Sequence, residues 1–248
     1  MELRRLRADL HIHTCLSPCG ELAMSPRAVV QAALGAGLDI IAVTDHNTME
    51  NVDAVAVAAR DARLTVLPGI ELTTSEEAHI LGLFEAGADF GPFQEEVFRN
   101  LPDMPNKKRF DEDQVLVDAD DYVTGFSPRC LFGATLFALR DAVALIHAHG
   151  GLAVASHIDR GSFSVISQLG FIPPGSGLEA VELSPRADLA GAREALGLDA
   201  GLPVVRFSDA HKPEEIGAAS TEFLVAAPSL AEIRLALAGE GGRRALPS

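Results

Sequence analysis

The chain is short of positive charge. Its 248 residues carry 20 Lys and Arg against 35 Asp and Glu, a formal net charge of −15. That deficit excludes a broad electrostatic grip on DNA, RNA or anionic lipid, which needs an extended basic surface. A small anionic substrate stays open, because bound cations reverse a local field. Cysteine is scarce as well: Cys15, Cys19 and Cys130 are all there is. An odd count of three thiols excludes a disulfide framework and reads as a reduced chain. No run of about 18 apolar residues occurs, so no segment reads as a membrane-spanning helix. The opening MELRRLRADL has charge but no apolar stretch behind it, and a cytoplasmic location is expected. Tryptophan is absent, Tyr122 is the only tyrosine, and no internal repeat is visible.

What is present is an ordinary globular composition, 48% hydrophobic and 22% charged. The length suits one large domain, so residues 1–248 are expected to form a single unit. Apolar runs and helical stretches alternate. RLRADLHIH, LDIIAVTD, LTVLPGIEL and EEAHILGLF read as strands. SPRAVVQAALGAG between them reads as a helix. Ser25 is placed to cap it, Pro26 suits its first position, and Gly35 or Gly37 can end it. ENVDAVAVAARD suits a second helix. The segment at about 87–130 is different, with four prolines, a basic Lys107-Lys108-Arg109 run and an acidic DADD stretch. It reads as an insertion of loops and short helices, a lid or wall. Alternation then resumes: a helix over 132–149, strands in GLAVASHID and GLEAVELS, a helix in ADLAGAREALGL, strands in PVVRFSDAH and TEFLVA, and a closing helix in SLAEIRLALAG. Strands that alternate with helices predict parallel βαβ units. Reactive residues in such folds gather at the carboxyl ends of the strands.

The polar residues obey that pattern. Asp45 and His46 follow IIAVT, Glu71 follows LTVLPGI, His157 follows LAVAS, and Asp209 and His211 follow VVRFS. His11 and His13 sit near the end of the first strand, and His79 lies in the fourth. Residues two apart on a strand share a face, so His11, His13 and Asp9 are expected to point together. Histidine and carboxylate are the ligands that borderline and hard divalent metals prefer. His11, His13, His46, Glu71, His79, His157, Asp209 and His211 exceed one tetrahedral site. A bridging carboxylate such as Glu71 would let two or three ions fit. Metal clusters of this kind polarise phosphoryl groups and activate water.

DLHIHTCLSPCG, VTDHN, PGIEL, EAHILGLF, ASHIDR and SDAH, in that order, resemble the PHP family, named for polymerase and histidinol phosphatase. The resemblance runs from Asp9 to about His211. It implies a distorted (β/α)7 TIM-like barrel with a trinuclear metal centre holding Zn, Mn or Fe. It also implies a phosphoesterase that hydrolyses small phosphomonoesters or nucleotides with a metal-activated hydroxide. Carried over by position, His11, His13, Asp209 and the bridging Glu71 hold a first ion. Glu71, His79 and His157 hold a second, and His46 and His211 a third. The family usually places another His or Asp a few residues after the H-x-H pair. This chain has Ser17, Pro18, Cys19, Gly20 and Glu21 there, so that Cys19 or Glu21 is the candidate substitute, the alternative being a loosely held third ion. Arg160 matches a phosphate-binding Arg, and a planar guanidinium suits bidentate phosphate contact. Glu71, Asp209, His211 and Arg160 are the expected catalytic residues. His46 and Asn47, with Arg160, are candidates for the phosphate.

Other residues read more plainly. His147 and His149 lie near a predicted helix C-terminus, where a cation is favourable. Asp9 is expected to orient a metal-bound histidine by a hydrogen bond. Cys15 suits a packing role. Lys107-Lys108-Arg109 reads as a solvated face, and Arg186 and Lys212 as secondary phosphate candidates. The expected partner is a small phosphorylated molecule, a nucleotide or a short oligonucleotide, with no membrane and no long nucleic acid. The alternatives are a non-catalytic metal-binding module of the same family, a histidinol phosphatase, and a metal-dependent hydrolase of C–N bonds. The last usually wants a Lys as its bridge, where this chain has Glu71.

Overall fold

β-Branched and aliphatic runs need a sheet buried on both faces, and the chain builds one by wrapping strands around a centre. A computed structural model describes residues 2–106 and 113–248. The first half contains strand β1 (Arg4–Ile12), helix α1 (Pro26–Gly35), β2 (Ile40–Val43), α2 (Val52–Ala58), β3 (Thr65–Thr73), β4 (His79–Leu83) and α3 (Gly91–Asn100). Then come β5 (Val115–Val117), β6 (Val123–Phe126), α4 (Leu139–Ala148), β7 (Leu152–Ala155), α5 (Val165–Leu169) and β8 (Ala180–Leu183). The chain finishes with α6 (Ala192–Ala195), β9 (Val204–Arg206), β10 (Thr221–Val225), α7 (Leu230–Leu237) and β11 (Arg244–Pro247).

Nine strands form one sheet in the order β11-β10-β1-β2-β3-β4-β7-β8-β9. It curls until its far strand returns to β1. A parallel bridge joins Ile12 to Ala210, and the His13 N–H donates to the Ala210 carbonyl at 3.0 Å. The result is a nearly closed, distorted barrel, as the family resemblance implied.

The purely parallel expectation fails in part. β1–β2, β2–β3, β7–β8 and β8–β9 are parallel, but β4 is antiparallel to both β3 and β7. The reason is the connection. Only Thr74–Ala78 separates β3 from β4, closed by the Thr74 N–H on the Ala78 carbonyl at 2.8 Å. Five residues cannot hold the crossover that a parallel pair needs. β10 likewise lies antiparallel to β1 and β11.

Among the described residues, the buried apolar side chains divide into two large clusters and two small ones. One of the large pair contains Leu6, Leu10, Leu67, Leu81, Val154, Phe207 and Phe223 from the strands, joined by Leu230 and Ile233 of α7. The other packs the opposite side of the strands, through Ile41, Val43 and Ile80, on helices that supply Val29, Val55, Val143 and Ile146. Each such side chain fully buried contributes roughly 1.5–3 kcal/mol relative to exposure.

Helix ends show where local signals hold. Pro26 opens α1 and Gly37, at φ +70°, ends it, but the Ser25 side chain makes no capping bond. The predicted helix over 132–149 begins only at Leu139. Thr135 N–H and Leu136 N–H are drawn away to the Thr73 and Asn100 carbonyls, and the Glu76 carboxylate caps the Leu139 N–H at 3.1 Å. His147 lies in the last turn of α4 and bonds Glu179, in keeping with its reading as a helix-end residue.

The 87–130 segment is more ordered than expected, with α3 and a β5–β6 hairpin. Strands of three and four residues carry too little periodicity to be read from sequence. They are held from outside: the Val115 N–H donates to the Cys15 carbonyl, and Asn51 bonds both Val115 and Val117. The Lys107-Lys108-Arg109 run lies outside the described residues. Among the described residues no helix is long and apolar enough to cross a membrane.

Two glycines give a test of this packing with opposite signs. A Cβ on Gly69 of β3 would meet Thr44 Cγ2 at 2.7 Å and the Val43 carbonyl oxygen at 2.8 Å, while one on Gly35 meets nothing within 4 Å. Gly69→Ala should cost about 1–3 kcal/mol in urea unfolding. Gly35→Ala should gain about 0.5–1 kcal/mol.

Candidate metal centre

One end of the barrel collects the polar residues. His11 and His13 come from the end of β1, His46 from the loop after β2, and Glu71 from β3. His157 follows β7, and Asp209 and His211 follow β9. His79 is the first residue of β4, not the last. Because β4 runs antiparallel, with Thr73 opposite His79, its start lies at the same mouth as the ends of its neighbours.

Glu71 is the hub and is 1% exposed. Its carboxylate lies 3.2 Å from His11 Nε2, 3.4 Å from His13 Nε2, 3.1 Å from His46 Nδ1, 3.2 Å from His79 Nδ1 and 3.3 Å from His157 Nε2. Asp209 Oδ1 lies 3.1 Å from both His11 Nε2 and His13 Nε2. Those two ring nitrogens are themselves 3.3 Å apart. Hydrogen bonds do not satisfy this crowd. Glu71 Oε1 and the Nδ1 atoms of His46, His79 and His157 are buried without an aligned partner. A buried polar atom left so costs about 1–3 kcal/mol. Imidazole lone pairs converging with carboxylates are the donor set of a divalent cation, and the residues fit one.

Three groups of candidate ligand atoms each lie within 4.8 Å: His11, His13, Glu71 and Asp209; His46, Glu71 and His79; and His13, Cys19, His46 and His211. The first matches the set implied by sequence. The second puts His46 beside Glu71 and His79, while His157 approaches the same Glu71 oxygen as His79. The third brings in Cys19. Glu21, the other substitute, is exposed and joins no group.

Hydrogen bonds behind the ligands set their tautomers. His11 Nδ1–H donates to Glu182 at 2.9 Å. His13 Nδ1–H donates to Ser17 Oγ at 2.9 Å, and Ser17 donates to Asp45 at 2.6 Å. Both Nε2 lone pairs then face the first group. Glu182 is the residue that sequence reasoning missed. It is fully buried in β8 and also accepts the His157 N–H at 3.1 Å. A lone carboxylate inside the apolar run of a buried strand was the available signal. Asp9, expected in that role, accepts from the Ser208 and Gly217 backbones instead. The β1–β2 register shifts between Asp9 and Ile12, so strict alternation stops where it was relied on. Asn47 is also corrected. It is fully buried, donates to the Leu131 and Gly133 carbonyls and accepts the Thr73 N–H, which makes it a loop brace rather than a phosphate contact.

The fields agree with this arrangement. Burial alone would raise the Glu71 pKa, but His79, His11 and His46 outweigh it and hold the carboxyl well below its usual range. Asp209 is lowered too: burial opposes its charge, and His11 and His13 override that. Burial pushes the His46 imidazole well down and takes His211 to about 4. Burial also works against charge on His11, yet Glu182, Asp209 and Glu71 raise it well above its ordinary value. Asp9 is lifted to about 6 by burial. Burial raises both Cys15, to about 12, and Cys19. Asn47, His157, Phe163 and Asp209 all sit at positive φ, a strain of about 1–3 kcal/mol each that clusters at functional sites.

The PHP domain family model matches residues 9–134, about half of the chain, and the chain belongs to that family. A Deinococcus radiodurans protein named "Probable histidinol-phosphatase" is 29% identical over 244 residues, covering 84% of this chain and 88% of that protein. A 5′-3′ exoribonuclease of Haemophilus influenzae is 32% identical over 78 residues, covering 30% of this chain and 27% of that protein. A lesion-specific endonuclease from Pyrococcus furiosus shares the fold with a TM-score of 0.70 at 17% identity, over 98% of this chain and 58% of that one. The chain thus spans about a quarter of the exoribonuclease and over half of the endonuclease.

Glu182→Gln keeps the shape of the side chain but weakens its hold on His11. It should lower divalent-metal affinity about 10–100-fold, measured by chelator competition, with an unchanged far-ultraviolet circular dichroism spectrum.

Proposed function

We propose that the protein is a metal-dependent phosphoesterase acting on small phosphomonoesters or nucleotides. The observation that carries it is Glu71, one buried carboxylate within 3.4 Å of five imidazoles, beside a cavity walled by Arg160. We read His11, His13, Glu71 and Asp209 as the ligands of one divalent ion, and Glu71, His79 and His157, with His46 adjacent, as those of a second. Zn, Mn and Fe all suit these donors. When bound, such ions polarise phosphoryl oxygens and lower the pKa of water.

The chain's own residues supply binding and orientation. The pocket at the cluster measures about 70 Å³ and is lined by Glu71, His79, His157, Arg160, Asp209 and His211 among others. That is room for more than a single water, and we read it as the seat of the phosphoryl group. Arg160 ties its guanidinium to Asp209 Oδ2 at 2.6 Å, yet the side chain stays 42% exposed. It can therefore turn toward a phosphate from the wall of the site. Arg160, Asp209 and His211 also line a second cavity of about 570 Å³, together with Ser184, Arg186 and Ser208. This volume falls in the range of small-molecule sites and would take the leaving group. The net charge of −15 favours a small ester over a long polymer.

The likeness to the Deinococcus protein over 84% of the chain supports histidinol phosphate as a second candidate substrate. We read residues 1–248 as one unit, with the 87–130 segment forming a wall: its Val115 and Leu101 pack on Cys15 and Leu16 of the loop that follows β1. The free thiols of Cys15, Cys19 and Cys130 support a reducing compartment, the cytoplasm.

Metal-defined protein should release phosphate from AMP, a nucleoside 3′,5′-bisphosphate, histidinol phosphate or a short 5′-phosphorylated RNA, with two or three ions per chain by elemental analysis. Glu71→Ala should lose both metal and turnover. Arg160→Ala should keep the metal and lose about 10²–10³-fold in kcat. Less than one ion per chain after reconstitution, with no turnover on any ester, would overturn the reading.

A further inference from the structure

The loop between β1 and α1 brings a sulfur to the edge of the cluster. Cys19 Sγ lies 3.0 Å from His211 Nε2. His211 Nδ1–H donates to the Asp209 carbonyl at 2.8 Å, so the Nε2 lone pair faces the thiol. The loop leaves the sulfur little choice of place. The Gly20 N–H donates to the Ser17 carbonyl, and the Glu21 N–H donates to the carbonyl of His211 itself, both at 2.9 Å. A Cβ on Gly20 would sit 2.3 Å from the Thr14 carbonyl oxygen, so only glycine allows this turn. Cys19 is thereby clamped from the following residue onto its partner histidine.

A second observation points to a ligand. His46 belongs to the same group of converging atoms as Cys19 and His211. It is 5% exposed, and its Nδ1 has no aligned hydrogen bond. A neutral imidazole offers one lone pair, so each histidine completes one site. His13 spends its Nδ1–H on Ser17 and turns Nε2 to Asp209 and His11, which commits it to the first group. His157 stands beside His79 at Glu71 and serves the second. His46 turns Nδ1 to Glu71 Oε2 at 3.1 Å and so stands between the second group and the third, with Cys19 and His211 beside it.

We propose that Cys19 is a ligand of the third ion that the family resemblance implies at His46 and His211, and that its sulfur makes this site select a thiophilic divalent ion, Zn²⁺ or Fe²⁺, over Mn²⁺ or Mg²⁺. This rests on the metal-dependent reading above and goes beyond it by giving the sites different preferences. Soft thiolate suits Zn and Fe, whereas carboxylate-rich sets suit Mn and Mg. The first group, with two carboxylates, and the third, with none, are thus chemically distinct. Three protein ligands with one position open is the pattern of catalytic rather than structural zinc sites. Binding exchanges the Cys19 S–H bond for a metal–sulfur bond, and the proton leaves to solvent.

The experiment uses metal-free full-length protein and Co²⁺ as a spectroscopic probe. Wild type should develop a near-ultraviolet thiolate-to-cobalt charge-transfer band as the ions fill. Cys15→Ser and Cys130→Ser should keep the band, and Cys19→Ser should lose it. Zn²⁺, but not Mn²⁺ at the same concentration, should slow iodoacetamide alkylation of Cys19 in the unmutated chain, read by peptide mass spectrometry. Cys19→Ser should weaken the site's hold on Zn²⁺ by at least about 10–100-fold, the loss typical of removing even an outlying partner of a ligand. Cys19→Asp should restore ion binding there with the preference moved toward Mn²⁺. Cobalt uptake at the other sites with phosphate release but no thiolate band would overturn this inference and leave the phosphoesterase reading standing. Less than one ion per chain would overturn both. A band or a Zn²⁺ protection that persists in Cys19→Ser, or an equal effect of Mn²⁺ on alkylation in wild type, would also overturn it.

Discussion

A carboxylate buried among histidines sets the terms for the rest of the molecule. Glu71 is 1% exposed, and an isolated charge in such a place would be neutralised by a proton. It stays ionised because imidazoles crowd it from several strand ends. Those imidazoles have their own cost. Burial makes protonation of His46 and His211 unfavourable. Charged Glu71 and Asp209 thus stand beside His46 and His211, whose rings burial keeps from protonation, the state that divalent ions require of their ligands. His11 is the exception, lifted by Glu182, Asp209 and Glu71 together. A positive charge is favoured at that spot, whether a proton or a metal supplies it.

The topology serves this convergence. A barrel of parallel strands alone would present only strand ends at the mouth. Reversing β4 lets its first residue, His79, reach the same rim through a five-residue turn. The register shift between Asp9 and Ile12 bends β1 where it delivers His11, and the Ile12–Ala210 bridge then closes the barrel beside His13, Asp209 and His211. Glu182 works from the side. One carboxylate accepts from the His11 ring and from the His157 backbone, so it fixes two residues of the cluster. Asp45 does the same for the β1 loop through Thr14 and Ser17. These supports are polar groups buried in apolar strands and loops, where a missing partner is expensive.

Much of this was legible in the chain. The alternation of elements gave the βαβ units, the family resemblance gave the barrel, and the histidines and acids following apolar runs gave the residues that the structure brings together. Local signals work where the chemistry is local, as Pro26 and Gly37 show at the two ends of α1. They fail where a distant group decides. The 132–149 helix is shortened because the Glu76 carboxylate and the Thr73 and Asn100 carbonyls claim its first residues. The β5–β6 hairpin depends on Asn51 and Cys15, which lie far away in sequence. Asp9 and Glu182 exchange roles for the same reason. Two-residue spacing predicted that Asp9 would serve His11, but the bulge in β1 turns it to other partners. The acid that does serve His11 lies 171 residues further on, and no spacing rule could have paired them.

The charge of the whole and the charge of the site pull in opposite directions, and the site's architecture answers that conflict. A chain with a net charge of −15 repels an approaching phosphate at long range. Beyond about 8–10 Å, physiological salt screens most of that repulsion. Inside that distance, an ester of the proposed kind would meet Arg160 and Arg186 on the cavity wall, and beyond them the buried cluster. Arg160 does not wait there as a free cation. It is paired with Asp209, which also faces His11 and His13. A phosphate that takes Arg160 leaves Asp209 with one counter-charge fewer, and that strengthens the demand for positive charge among its other neighbours. On the proposed reading, substrate binding and metal retention would be coupled through one carboxylate, in the direction that makes a filled cluster the better phosphate binder.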